Sequence, residues 1–218
     1  MKNIFPVPCL LCGCLQNDAV CQECQQDCPL MPKAICPTCA MPCVNANACA
    51  NCNNQKPILK SVKALFQYDF PVNHLITLLK YKAHLSLLKW FAKQILMPKE
   101  TSYLLPIPLL PKRLKQRGFN QSALLAKEIA KINPQIIVKE NVLKHNATHQ
   151  NQTGLTKQER IKNIQGAFFV ENSKHLENFP LILLDDVMTT GATLNEAART
   201  LQKNGFSNIH AQILARRM

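Results

Sequence analysis

Eight of the eleven cysteines fall into four pairs of a single spacing: Cys9-x-x-Cys12, Cys21-x-x-Cys24, Cys36-x-x-Cys39 and Cys49-x-x-Cys52. Two residues between cysteines let one tight turn aim both sulfurs at a single ion, and two such turns complete a tetrahedral four-thiolate zinc site. Gly13, Ala40 and Asn53 follow three of the pairs, as small or turn-tolerant residues should in a knuckle. The competing reading is a disulfide framework. An odd cysteine count, the regular pair spacing and the lack of an export signal all speak against it. Spacing alone fits sequential or crossed pairing. Sequential pairing puts Cys9, Cys12, Cys21 and Cys24 on one Zn2+ and Cys36, Cys39, Cys49 and Cys52 on a second, with Cys14, Cys28 and Cys43 outside both. With every coordination position filled by sulfur, both ions would be structural, and their binding energy would be folding energy for this segment.

A second constellation lies near the other end, Leu181-Ile182-Leu183-Leu184-Asp185-Asp186-Val187-Met188-Thr189-Thr190-Gly191-Ala192-Thr193. Four aliphatics without a polar break read as a buried central strand of a parallel sheet. Asp185 and Asp186 follow at its carboxyl end, where open α/β sheets bind ligands. The turn Thr189, Thr190, Gly191, Ala192, Thr193 then leads into a helix expected over Leu194–Asn204, with Gly205 closing it. Backbone N–H groups at a helix start attract phosphate, and three threonine hydroxyls add donors. Thr193 with Glu196 also reads as a capping box. Capping accounts for those two residues and leaves the twin acids and Thr-Thr-Gly unexplained. Paired acids beside a phosphate loop suit a sugar: the carboxylates accept from ribose hydroxyls while the loop holds a 5′-phosphate. After the apolar run Leu105–Leu109 come Lys112, Arg113, Lys115 and Arg117, four cations within six residues. They read as a diphosphate clamp in preference to a basic surface loop, the arginines being suited to bidentate phosphate contacts.

These residues must be held by two regions of unlike composition. The 218-residue chain is 47% hydrophobic and 18% charged, which is a globular balance. All cysteines precede Asn53, and no aromatic residue occurs between Phe5 and Phe66. Residues 1–56 therefore cannot build an ordinary core and need disulfides or metal, whereas residues 57–218 read as an α/β domain. The boundary falls in Asn53-Asn54-Gln55-Lys56-Pro57. A formal net charge of +13 anticipates phosphate-bearing partners. From Cys28 to Lys99 nine lysines face one acid, Asp69, which makes a solvated helix face or a surface for a nucleic-acid backbone. A helix is expected over Pro71–Leu96, with Trp90 and Phe91 packing it onto the sheet and Tyr81 close to the lysines. His145–Gln165 is polar and reads either as a surface loop or as a lid that orders on ligand. Neither a G-x-x-x-x-G-K-[ST] nor a G-x-G-x-x-G pattern occurs. Nothing is apolar over the roughly 20 residues that a membrane span needs, so no membrane insertion and a cytoplasmic location are expected.

The Asp185–Thr193 stretch resembles the ribose-phosphate loop of type I phosphoribosyltransferases. Arg117-Gly118-Phe119-Asn120-Gln121 after Leu105–Leu109, Gln152-Thr153-Gly154-Leu155 with Arg160, Asn163 and Gly166-Ala167-Phe168, and the cysteine ladder in front are similar to the ComF family, over nearly the whole chain. The resemblance implies a type I phosphoribosyltransferase-like parallel sheet flanked by helices behind a double zinc ribbon. It also implies 5-phosphoribosyl 1-diphosphate with Mg2+ as ligand. Asp185 and Asp186 would hold the ribose diol, residues 189–193 the 5′-phosphate, and Lys112, Arg113 and Arg117 the diphosphate. The family is associated with natural transformation, which leaves three readings. One is a DNA-uptake factor binding phosphorylated ribose or single-stranded DNA. Another is an active phosphoribosyltransferase with an unassigned acceptor base. The third makes the ribbons a docking module for a helicase of the DNA-translocation machinery.

Overall fold

The computed structural model describes residues 6–45, 47–54, 57–146, 164–173, 176 and 179–218. The candidate lid residues Gln152–Leu155, Arg160 and Asn163 lie outside them.

A five-stranded, wholly parallel sheet forms the body. Its strands are β3 (Ser61–Gln67), β4 (Ser102–Pro106), β5 (Ile136–Val138), β8 (Leu181–Met188) and β9 (Ile209–Arg216), in the spatial order β3-β9-β8-β4-β5. β8 is the central strand, as its unbroken aliphatic run requires, and Leu181, Leu183 and Leu184 are at most 1% exposed. Successive side chains alternate between faces. Leu104, Ile182, Leu184 and Leu214 join one core, and Tyr103, Leu105, Leu181, Leu183 and Ile213 the other.

The first face is covered by α3 (Val72–Lys82), α4 (Ser86–Gln94) and α6 (Gln121–Ile132). Trp90 and Phe91 do pack this layer: Trp90 stacks on Phe66 at 6.1 Å, and both are essentially buried. The single helix expected over Pro71–Leu96 is, however, two. Ala83 turns left-handed at φ +52° and ends α3 there, and α4 starts afresh at Ser86. The second face is covered by α7 (Ala192–Lys203) and a short antiparallel pair, β6 (Leu143–His145) with β7 (Phe168–Val170). Helix α7 starts two residues earlier than the sequence pattern suggests. Gly205, at φ +93°, follows it, and the Phe206 amide reaches back to Leu201 O at 3.2 Å.

The cysteine-rich segment holds only a two-stranded ribbon, β1 (Val7–Pro8) with β2 (Leu15–Gln16), and two short helices, α1 (Gln22–Gln26) and α2 (Ala50–Asn53). It is packed onto the sheet and is not a free appendage. Cys9, Val20, Cys21 and Cys28 share the first core with Phe66 and Trp90, and Ala40 belongs to the second. Trp90 Nε1 and Gln94 Nε2 both donate to Gln25 Oε1, at 3.2 and 3.1 Å. Residues 29–37 run along the outer edge of β3. Gln67 N donates to Pro29 O at 2.8 Å, Met31 N to Leu65 O at 2.9 Å and Val62 N to Pro37 O at 2.6 Å.

Candidate functional site

Cysteine pairing is sequential. The sulfurs of Cys9, Cys12, Cys21 and Cys24 lie within 4.8 Å of one another, as do those of Cys36, Cys39, Cys49 and Cys52. A tetrahedral ion with sulfurs at about 2.3 Å requires S···S separations of about 3.8 Å. Cys12 to Cys21 and Cys39 to Cys49 are each 3.7 Å, so either tetrad can hold a four-coordinate zinc ion. All eleven cysteines are free thiols. Knuckle amides point at the sulfurs: Cys21 N reaches Cys9 Sγ at 3.4 Å, and Cys49 N reaches Cys36 Sγ at 3.3 Å. Burial pushes the Cys9 and Cys36 thiols up, but the surrounding amides outweigh it and bring each down to about 6. Each tetrad therefore has a sulfur predisposed to the thiolate form that a zinc ion would need, and binding would release the remaining thiol protons. Cys14 lies 3.3 Å from Cys12 Sγ without joining the cluster.

The second site is at the sheet's carboxyl edge. From β4 the chain crosses through α6 to β5 on one side, and from β8 through α7 to β9 on the other. The crevice between β4 and β8 is thus a topological switch point, where ligands bind in open α/β sheets. Asp185 and Asp186 sit on the β8 side of it. Asp185 Oδ1 accepts from Asp186 N at 2.9 Å and faces Ser122 Oγ at 3.4 Å. Ser122 lies in the first turn of α6, whose cap, Asn120, accepts from the Ser122 and Ala123 amides and donates to Ile107 O at 3.0 Å. The Arg-Gly-Phe-Asn-Gln segment thereby ties the end of β4 to the first acid. Asp185 keeps some solvent contact, but the protein packed around its carboxyl, and then the charge of Asp186, push its pKa up to about 7. Asp186 is paired with Lys80 at 2.8 Å, both side chains being largely shielded. Gln121, the residue before Ser122, is 1% exposed and neither of its amide atoms has a partner among the described residues, an unspent hydrogen-bonding capacity at the start of α6.

Lys80 also lines a cleft of about 580 Å³, together with Tyr81, Arg113, Gln116, Arg117 and Phe119. The segment expected as a clamp loop is in fact a helix, α5 (Pro111–Arg117), with proline at its first turn and Gly118 at φ +77° closing it. Helical spacing explains which cations reach the cleft: Arg113 and Arg117 are four apart and share a face. Lys112 is exposed and does not line it. The Arg117 guanidinium lies 5.2 Å from the centre of the Tyr81 ring, which is 67% exposed.

The threonine turn runs from the end of β8 into α7. Gly191 is the cap of α7 at φ +79°, a left-handed conformation that favours glycine; the atom nearest to an added Cβ is the flexible tip of Met188, Cε at 2.5 Å, which can swing away. Thr189 is exposed, and Thr190 Oγ1 accepts from Ala192 N at 3.3 Å. The expected capping box does not form. The helix begins at Ala192, which leaves Thr193 and Glu196 inside it. Buried Glu196 instead accepts from Gly166 N at 2.8 Å and pairs with Arg199 at 2.8 Å.

Sequence reasoning missed Arg216. It ends β9 at 5% exposure, with Nε on Cys39 O at 3.1 Å and Nη1 on the carbonyls of Met188 (3.0 Å), Thr189 and Arg217 (2.9 Å). Burial lowers its pKa, and the Cys39 sulfur works the other way. A cation terminating the apolar run Ile213-Leu214-Ala215 is the signal that could have marked it.

No family model matches the chain. The chain is 31% identical over 237 aligned positions to competence protein F of Haemophilus influenzae, covering 99% of this chain and 100% of that protein. It is 27% identical to DNA utilization protein YhgH of Escherichia coli, covering 97% of each. It is 25% identical to competence protein ComFC of Bacillus subtilis, covering 87% of this chain and 80% of the relative. No helix among the described residues is long and apolar enough to cross a membrane. Identity of this order, sustained from one end of both proteins to the other, shows that the chain belongs to the ComF family.

Proposed function

We propose that this chain serves bacterial DNA uptake or utilization, the roles carried in its relatives' names. In this reading the switch-point site binds 5-phosphoribosyl 1-diphosphate with Mg2+, and the adjoining cationic cleft takes single-stranded DNA. The observation that carries it is the convergence on one sheet edge of Asp185, Asp186, the Gly191 turn and a cleft lined by Lys80, Arg113 and Arg117. The two carboxylates accept from the ribose hydroxyls, and the turn and start of α7 hold the 5′-phosphate. Arg113 and Arg117 neutralise the diphosphate, whose bound Mg2+ keeps several of its waters. Lys80 is released from Asp186 to the ligand as the acid turns to the sugar. Tyr81, exposed and flanked by Arg117, offers a base-stacking platform beside cations for the backbone. The two thiolate tetrads would carry structural zinc.

Transfer of the phosphoribosyl group to a base is the second reading. A pKa of about 7 at Asp185, close to the pH at which a general base works best, favours it. Calorimetric titration of the full chain with the diphosphate sugar, with and without Mg2+, tests the shared part. Saturable binding that needs Mg2+ and disappears in Asp186→Asn is expected. Anisotropy titration with an oligothymidylate tests the DNA part. Affinity should fall steeply with salt, and Arg117→Gln should lower the salt slope by about one. Absence of sugar binding, or DNA binding that is negligible and indifferent to salt, would overturn the corresponding half. Diphosphate release with a panel of bases separates the enzyme from the binding protein.

A further inference from the structure

Arg216 touches both sites described above and belongs to neither. Its Nε holds the carbonyl of Cys39, a member of the second tetrad, and its Nη1 holds Met188 O and Thr189 O, where β8 gives way to the threonine turn. Arg217 N also donates to Met188 O, at 2.9 Å, so the strand end is fastened twice. The Cys39 carbonyl is itself placed by the knuckle, in which Ala40 N donates to Cys36 O at 2.9 Å and Cys36 N to Met41 O at 2.7 Å. Among the described residues no carboxylate forms an ion pair with Arg216. A buried guanidinium with only carbonyl partners needs a nearby negative charge to be tolerated. Four thiolates around a divalent ion would carry a net charge of about −2, and the residue whose carbonyl Arg216 holds supplies one of the four. Among the described residues the first tetrad has no such link. It packs against the other face of the sheet, where Gln25 meets Trp90 and Gln94.

We infer that Arg216 is a positioning residue that couples metal occupancy of the Cys36/Cys39/Cys49/Cys52 tetrad to the shape of the Thr189–Thr193 turn, so that losing this ion, and not the ion of the first tetrad, loosens the turn and weakens its grip on a sugar 5′-phosphate. The filled tetrad fixes the Cys39 carbonyl and supplies the counter-charge. Arg216 passes that constraint to the two carbonyls that set where the turn begins. The ligand arm of this inference rests on the phosphoribosyl diphosphate reading; the mechanical arm does not.

Full-length Cys12→Ser, Cys52→Ser, Arg216→Gln and Arg216→Lys test it. Bound zinc is counted by elemental mass spectrometry, and amide hydrogen exchange is followed over residues 188–193 without ligand. Cys12→Ser and Cys52→Ser should each lose one ion, and both arginine variants should keep the wild-type count. Exchange over the turn should quicken about tenfold in Cys52→Ser and in both arginine variants, and stay within about twofold of wild type in Cys12→Ser. Affinity for Mg2+–phosphoribosyl diphosphate should fall about tenfold in the same three variants. The coupling is overturned if Cys52→Ser loses its ion while the turn exchanges as in wild type, or if Cys12→Ser loosens it equally. It is also overturned if Arg216→Gln leaves exchange unchanged. Should Cys52→Ser fail to fold, the arginine variants decide. If the wild type binds no phosphoribosyl diphosphate, the ligand reading fails and the exchange comparison still decides the coupling.

Discussion

Asp185→Asn should stabilise the protein at alkaline pH while abolishing its ligand. Asp185 lies among packed groups next to Asp186, and its pKa stands at about 7 against an ordinary 3.8. A raised folded pKa means that the native state keeps a proton that the unfolded chain releases. Stability from this group is therefore fully present below the unfolded value and is lost as pH climbs through about 7. Between about pH 5.5 and about pH 8.5 the linkage amounts to about 2 kcal/mol, the opposing pull of Lys80 and Ser122 being already contained in the raised pKa. Asparagine has nearly the same shape and never ionises, so the variant escapes the loss. Urea unfolding of both proteins at the two pH values measures the effect. Taking the difference between them cancels thiol and histidine titrations common to both. The variant should gain on the wild type by up to about 2 kcal/mol as pH rises. Ribose hydroxyls want an ionised acceptor, so wild-type affinity for the Mg2+–diphosphate sugar should climb over the same interval in which its stability falls. Parallel stability curves for the two proteins would refute the assignment of a raised pKa to Asp185.

Three shorter predictions concern the scaffold. Trp90→Ala removes a fully buried ring stacked on Phe66 and should cost about 3–5 kcal/mol in chemical unfolding, with less than about 1 arguing that the helical layer repacks freely. Gly191→Ala puts a Cβ on a left-handed residue at φ +79°, so melting should drop by the equivalent of about 1–2 kcal/mol; wild-type melting and sugar affinity would contradict the preference for glycine. A strong zinc chelator should release two ions per chain, lower the melting temperature and open residues 6–54 to protease, and an unchanged digestion pattern would contradict a metal-dependent fold.

Local patterns were legible and long-range ones were not. Two residues between cysteines constrain a turn whatever surrounds it, so the eight cysteines that gather into two tetrads were readable, whereas the choice between sequential and crossed tetrads depended on how the knuckles dock. Leu181–Leu184 announced a central strand because only a strand covered on both faces tolerates four aliphatics in succession. The helix break at Ala83 carried no glycine or proline to mark it. Thr193 and Glu196 matched a capping pattern, but Gly191 captured the helix start two residues early and freed Glu196 to fasten Gly166. Lys80 stood out only as one of many lysines; its pairing with Asp186 spans 106 residues and leaves no trace in spacing. Arg216 was missed for the same reason, since its partners are carbonyls, which every residue has.

Residues 29–37, lying beside β3, also bear on how the protein can be dissected. A fragment beginning at residue 57 would leave the peptide groups of a seven-residue strand bare along one side. Such a border invites pairing with another copy and then precipitation. Insoluble or oligomeric truncations would therefore report a missing seam and say little about whether the remaining half can act. Interference with the cysteine-rich portion, by oxidation or by metal theft, would reach the sheet through the same seam, so the two portions have to be gained and lost together.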